Sequence, residues 1–298
     1  MGLLLCLLSS CLHEITQTYN PGVTPGVVGV HGDSAYVMAH TRLGWIYDSE
    51  LKSHRTGECL LLNFTYDPSK NKQAQELDYY NVTITGQQTV ERLSVGVEET
   101  SLDQVLTHEQ PLVCAISPAD SSLCVQVDNY LFLPSICWTN KSNKLKWTLT
   151  YDPRVAPDGL DGKRVYPLFL RTVATGVVAD TAQKAVAAIH AFDLSAVRQA
   201  LGGSTDDRYV RLFYVDGINP KDSTQFTWGV SGPIVIHCYI YIRNKENELY
   251  TDKIDLVGRF AARTDSLHRR RGRHGALLPM GRGGGAADAE YSHGRRAG

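Results

Sequence analysis

The sequence predicts a mostly β protein with short helices set into its loops, and three observations lead there. Runs of β-branched and aromatic residues recur along the chain: ECLLLNFTY at 58–66, YLFLPSICW at 130–138, RYVRLFYV at 208–215 and PIVIHCYIYIR at 233–243. Such runs suit pleated, buried ribbons. Turn-forming Gly, Pro, Asn and Asp clusters separate them. A helical period is clear in one region alone, Asp180–Leu201. The chain has 298 residues, of which 43% are hydrophobic and 20% charged, enough apolar surface for a substantial core and too little charge for a largely disordered chain.

The elements follow in order. Pro21–Gly32 alternates Gly, Pro and Val and reads as extended chain. Glu58–Tyr66 is a strand closed by Asp67-Pro68, and Tyr79–Thr85 and Thr89–Val97 are two more on either side of Gly86. Ser101–Leu106 has a capping Ser and first-turn Asp103 and Gln104, the pattern of a short helical turn. Tyr130–Trp138 and Leu145–Tyr151 are strands, and Asp152–Asp161 is a loop. Arg164–Thr172 is strand-like. In Asp180–Leu201, Ala182, Ala185, Val186, Ile189 and His190 fall on one helical stripe, with Asp193 as a fresh cap and Gly202-Gly203 as the stop. Arg208–Val215 and a short edge at Gln225–Gly229 lead to the densest apolar run, Pro233–Arg243. Asn244–Asn247 then turns into Leu249–Val257, which makes a central hairpin. Beyond Phe260 no period remains. The organisation expected is an arm or signal segment at 1–27, one β domain at 28–262 and a basic, disordered Arg/Gly-rich tail at 263–298.

Charge is unevenly spread. Net charge is −1 overall, while residues 263–298 carry eight Arg against two Asp and one Glu, so the tail is +5 and the body −6. A basic tail favours an anionic partner, and Arg269, Arg270, Arg271 and Arg273 are its densest cluster. The seven Cys, at 6, 11, 59, 114, 124, 137 and 238, have no regular spacing and no C-x-x-C, so they give no disulfide framework and no zinc or redox motif, and Cys114, Cys124 and Cys137, set among apolar residues, read as buried thiols. The segment MGLLLCLLSSCL resembles a signal peptide without a basic start, and Leu8-Ser9-Ser10-Cys11 within it resembles a bacterial lipobox. No apolar run reaches the roughly 18 residues of a membrane span.

Chemistry-bearing motifs are sparse. No phosphate loop, dinucleotide fingerprint or paired-His metal motif occurs, so no catalytic residue, metal site or cofactor is assigned. Gly32-Asp33-Ser34 resembles the nucleophile block of GDSL-type hydrolases, and Asp265-x-x-His268 has that family's spacing. Those enzymes alternate strands and helices, which this chain does not, and His268 falls in the Arg-rich tail. His31, His40, His54, His108 and His237 stand singly and read as surface or packing residues. Asn63, Asn81 and Asn140 form N-x-S/T sequons, glycan sites only in a secreted chain.

A strand followed by Gly96-x-Glu98-x-x-Ser101-Leu102-x-x-x-Leu106 resembles picorna-like virus capsid proteins of the dicistrovirus and iflavirus type, with the strands at 130–138 and 145–151 in similar order. The likeness spans about residues 80–151. Asp103 stands where that family has Arg, and Val105 where it has its second Leu. The resemblance implies an antiparallel β-sandwich of jelly-roll type. It also implies a structural, non-enzymatic role in a virion, with copies of itself or sister capsid subunits as partners. The tail arginines would then touch genomic RNA. A second reading is a secreted or virion-surface glycoprotein, with sugars on the three sequons, that binds a host protein or receptor.

Overall fold

Five strands close into a barrel at the head of the chain. The computed structural model describes residues 18–32, 36–100, 102–140, 144–175, 183–202, 207–219, 221–222 and 225–237. β1 (Thr24–Val30), β2 (Val37–Thr41) and β3 (Gly44–Tyr47) form an antiparallel meander. β4 (Cys59–Tyr66) pairs antiparallel with β1 and with β5 (Tyr79–Val97), and β3 runs parallel to β5. The strand order is therefore β1-β2-β3-β5-β4 and back to β1, the closed order of an OB-like barrel.

Alternation fills the barrel. Leu60, Leu62 and Phe64 point inward from β4 and meet Val28, Ala39, Ile46 and Ile84. A single 3-10 turn, Ser49–Ser53, drops the fully buried Leu51 into the same core. Asp48 caps that turn: one carboxylate oxygen accepts from the Glu50 amide at 2.9 Å and the other from the Ile84 amide of β5 at 2.9 Å. Between β4 and β5, α1 (Ala74–Leu77) ends at Asp78, which takes the left-handed φ of 55°.

The 19-residue β5 leaves the barrel and enters a two-layer sandwich. The later elements are β6 (Leu112–Cys114), β7 (Val125–Val127), β8 (Tyr130–Asn140), β9 (Lys144–Tyr151), β10 (Asp158–Leu160), β11 (Lys163–Thr175), β12 (Gln183–Asp193), α2 (Ser195–Ala200), β13 (Arg208–Ile218) and β14 (Phe226–Ile236). In one layer β6 and β7 pair with β8, β8 runs antiparallel to β12, and β12 runs parallel to Glu91–Ser94 of β5. In the other, Val95–Val97 of β5 runs parallel to β9, followed by β11, β13 and β14, with β10 on β11. Leu131, Leu133, Cys137 and Phe192 of the first layer bury against Trp147, Leu149, Leu168, Leu170, Val210 and Leu212 of the second. A smaller cluster, Val27, Cys59, Val90, Val127, Phe132 and Ala191, joins the outside of the barrel to the first layer. The four described cysteines are free thiols, and burial pushes Cys59 up to about 12 and Cys124 and Cys137 up to about 11.

The link from β5 to β6 crosses the outer face of the second layer and is pinned there by a buried ion pair. Arg171 on β11 donates from Nε and Nη2 to the two oxygens of Glu109, each at 2.7 Å, with side chains 5% and 1% exposed. Arg171 Nη2 also donates to the Gln104 carbonyl at 2.8 Å, and Glu109 accepts from the Leu106 amide at 2.6 Å. The guanidinium stands 5.5 Å from the Trp228 ring. At the start of the link, the Asp152 carboxylate accepts from the Thr100 amide and from Arg154. The charge-assisted bonds to Arg154 hold that carboxyl well below the usual range.

Several expectations are corrected. The sheet is mixed, with four parallel pairings, and its head is a closed barrel, so neither a purely antiparallel arrangement nor a jelly roll describes it. The expected helix at 180–201 is a strand over Gln183–Asp193, and the one turn of helix that follows covers only Ser195–Ala200. Its Ala-rich sequence suits the strand because successive residues face opposite ways. Ala188, His190 and Phe192 turn to the sandwich core, while Ala191 turns to the barrel. Residues 102–106 hold a bend at 103–104 and no helical turn. Thr85 is an extra residue where Asn63 pairs with Gly86 and Phe64 with Ile84, so the two strands expected at 79–85 and 89–97 are one bulged strand. The boundary drawn between residues 27 and 28 falls inside β1. Pro233–Ile236 ends a strand that pairs with β13 alone among the described residues. The rest of the expected hairpin, 238–257, lies outside the described residues, as does the tail at 263–298.

Two predictions follow from this packing. Glu109→Ala strands a buried guanidinium and should cost about 3–5 kcal/mol, read as a lowered urea midpoint with the slope unchanged. His190 is 6% exposed against Trp147, its Nδ1 has no partner among the described residues, and burial pushes it down to about 4. Its Nε2 lies 3.6 Å from Glu91, whose side chain is 70% exposed and too wet to offset that burial. The unfolded chain therefore binds the extra proton between about pH 6.5 and 4. Stability is full above 6.5 and falls by up to roughly 3 kcal/mol as pH drops through that window. Unfolding midpoints against pH should show the fall in the native chain and a flatter profile in His190→Leu.

Candidate functional site

The outward face of β1, β2, β3 and the start of β5 carries two groups of rings. β2 and β3 join through a tight turn in which Thr41 Oγ1 accepts from the Leu43 amide at 3.0 Å and donates to the Gly44 carbonyl at 3.0 Å. Gly44 supplies the left-handed φ of 104° that the turn needs. With Ala39 and Ile46 turned inward, pleating turns His40, Trp45 and Tyr47 outward. Trp45 is in register with Tyr79 of β5, so Tyr79 joins the same face.

In one group Trp45 is clamped. His31 stacks on its indole with ring centroids 4.8 Å apart at 27°, and His40 stacks on the same indole at 4.8 Å and 21°. Each imidazole is braced from outside the meander. His31 Nε2 lies 3.3 Å from an Asp78 oxygen in the loop after α1, and His40 Nδ1 lies 2.6 Å from an Asp128 oxygen in the β7–β8 turn. Asp128 holds a left-handed φ of 51°, and its carbonyl accepts from Gln126 at 2.7 Å and Arg198 at 3.3 Å. Burial lowers His31, Asp78 partly restores it and His40 lowers it again. Beneath the indole, Gly29 is required: a Cβ there would stand 2.9 Å from Trp45 Cη2.

The other group is three tyrosines. Tyr36 and Tyr47 lie 5.1 Å apart at 55°, and Tyr47 and Tyr79 lie 6.1 Å apart at 69°. Tyr36 is 48% exposed. Among the described residues, the three hydroxyls make no hydrogen bond. The outward strand positions of the meander hold no Lys or Arg, and residues 18–97 contain six Lys and Arg against eight Asp and Glu, a net −2. Among the described residues no group of three His, Cys, Asp or Glu could hold a metal ion.

The sites expected from sequence fall elsewhere. Arg269, Arg270, Arg271 and Arg273 lie outside the described residues, as do Ser34, Asp265 and His268. Asn63 is half-buried on β4 with its Oδ1 unpartnered among the described residues, Asn81 is exposed on β5, and Asn140 is 4% exposed at the end of β8. His31 and His40, read as unconnected surface or packing residues, meet across one indole. The alternating Tyr36–Thr41 and the run Gly44-Trp45-Ile46-Tyr47 are the sequence signals that would have placed strands here.

Comparisons with known proteins agree with the barrel. Residues 16–89 match the family model described as "Lipoprotein OB domain", a span that takes in β1 to β4 and most of the barrel part of β5. Among solved structures, an uncharacterized protein from Parabacteroides merdae superposes with a TM-score of 0.60 at 18% identity, covering 74% of this chain and all of that one. A putative lipoprotein from Bacteroides fragilis gives 0.50 at 12% identity, covering 76% of this chain and all of that one. A protein of unknown function from Bacteroides vulgatus gives 0.45 at 14%, covering 80% and 99%. No curated protein matches the chain.

These matches overturn the capsid reading. The domain that matches is a bacterial lipoprotein domain, and neighbours that share the fold over three quarters of the chain are bacterial proteins, not virion subunits. The virion location, the sister capsid subunits and genomic RNA as partners, and the alternative of a virion-surface glycoprotein fall with it. The segment that carried the likeness, about 80–151, is physically different. Its first part is the long strand that closes the barrel, and no helix begins at Leu102.

Gly29→Ala tests the clamp. The new methyl should drive the indole from between the two imidazoles, cost about 1–3 kcal/mol and shift tryptophan emission to the red. Denaturant titration followed by fluorescence reads both.

Proposed function

We propose that this protein is a lipid-anchored component of a bacterial cell envelope and that it acts by binding through the outward face of its barrel. One observation carries the reading: the lipoprotein-domain match begins at residue 16, just after Leu8-Ser9-Ser10-Cys11. An apolar run followed by small residues and a cysteine is what an acylating enzyme reads, with lipid joined to the cysteine Sγ. Two or more acyl chains on one residue anchor a protein stably, whereas a single chain does not. Twelve residues lie between Cys11 and Thr24, a reach of at most about 47 Å, so the barrel would stay close to the membrane surface.

The ring-lined face supports a binding role. OB-type barrels use the face of their second and third strands, with the loops after the first and fourth, to hold ligands. Here the same strands carry His40, Trp45 and Tyr47, and the loop after β4 supplies Asp78. Both carboxylates at the clamp are engaged by imidazoles. Neither is left as an unengaged acid or base, which favours recognition over catalysis.

Metabolic labelling with an alkyne fatty acid in a Bacteroides host tests the anchor. The native chain should take the label and sediment with membranes, and Cys11→Ala should lose both. Equal labelling of Cys11→Ala, or none of the native chain, would sink the proposal.

A further inference from the structure

We infer that the open edge of β12 pairs with the same edge of a second copy, so that two chains share one sheet. β8 covers one side of β12 along its whole length, from Gln183 to Asp193. On the other side β5 takes only His190–Asp193. Among the described residues, Gln183–Ile189 has no partner on that side. A bare strand edge is a template for another strand, and proteins guard such edges with Lys, Pro, bulges or shortness. Other open edges of the sandwich carry those guards. β6, β7 and β10 are three residues long. The free side of β9 at Lys144–Thr148 has Lys144 and Lys146, and β14 has Pro233 and two breaks in register. β12 has none of these. Lys184 to His190 reads KAVAAIH, with no proline, no charge between its ends and no break in register. Ala185 and Ala187 are exposed and too small to screen the backbone.

The sequence of the edge selects a second copy as its occupant. An antiparallel pair of identical strands has a two-fold axis through one residue. With Ala187 on the axis, Ala187 faces Ala187, Val186 faces Ala188 and Ala185 faces Ile189, so each of these pairs is apolar and none is crowded. Lys184 of the second copy then reaches the level of His190, where β5 takes over the edge. There Glu91 of β5 is in register with His190, and its side chain is 70% exposed. Residues paired across strands share a face, so the Lys184 ammonium meets the Glu91 carboxylate. The axis repeats the contact, which gives one such ion pair at each end of the shared ladder. These charges fix a register that alanines alone would leave free. The pairing is independent of what the barrel face binds.

Sedimentation velocity of the full chain between about 1 and 100 µM tests the pairing, with monomer dominant at the low end and dimer at the high end. Ala187→Lys sets two like charges against each other on the axis, at a position that faces solvent in the single chain, and should leave a monomer throughout. Glu91→Lys should weaken the dimer about tenfold or more, and the exchange Glu91→Lys with Lys184→Glu should restore it. The exchange decides the matter even where Ala187→Lys fails to fold. Under mild oxidation Ala187→Cys should give a disulfide-linked dimer, because its Cβ atoms meet on the axis. Ala185→Cys should not, because Ala185 faces Ile189 instead. A native chain that stays monomeric at about 100 µM overturns the inference, whatever other protein the edge takes. A dimer that survives Ala187→Lys overturns it too, as does one broken by Glu91→Lys and not restored by the exchange. Loss of the dimer in Trp138→Lys but not in Ala187→Lys would place the contact on the sheet face, where Trp138 is 42% exposed, and overturn the pairing of edges.

Discussion

One continuous backbone ties the molecule together. β5 gives its first residues to the barrel, Glu91–Ser94 to one sandwich layer and Val95–Val97 to the other. Each stretch satisfies its amides and carbonyls with a different neighbour, so the strand cannot shift register in one place without breaking pairing in the other two. The barrel and the two layers are thereby fixed in phase. The cluster of Val27, Cys59, Val90, Val127, Phe132 and Ala191 then fills the space where they meet.

The ring-lined face depends on that fixed phase. Its clamp borrows one carboxylate from the barrel's own loop and one from the sandwich, where Asp128 is presented by a turn whose carbonyls Gln126 and Arg198 hold. Trp45 is thus set by groups far apart in sequence. A barrel cut loose from the sandwich would keep its strands and lose the brace on His40.

Local pattern in the sequence showed the strands whose apolar residues alternate or run unbroken: 58–66, 130–138, 145–151, 164–172 and 208–215 are all strands in the structure. What local pattern lacks is pairing. Closure of the barrel rests on β3 lying parallel to β5, more than thirty residues on, and nothing within either strand announces its partner. The Ala-rich stretch 183–193 satisfies a helical stripe and an alternating one equally well, and a slot between β8 and β5 decided for the strand. The ring-lined face was hidden for a related reason. β2 and β3 are five and four residues long, and Gly44 between them reads as a breaker before it reads as a hairpin turn. His31 and His40 look isolated until Trp45 comes between them.

The cysteines carry a consequence for how the protein meets oxidants. With Cys59 raised to about 12 and Cys124 and Cys137 to about 11, fewer than roughly one in a thousand of each would be ionised at neutral pH. Oxidants and disulfide-exchange catalysts attack through the thiolate, so these three sulfurs offer them almost no nucleophile. The fold can keep reduced sulfur in its interior without a reductant to guard it.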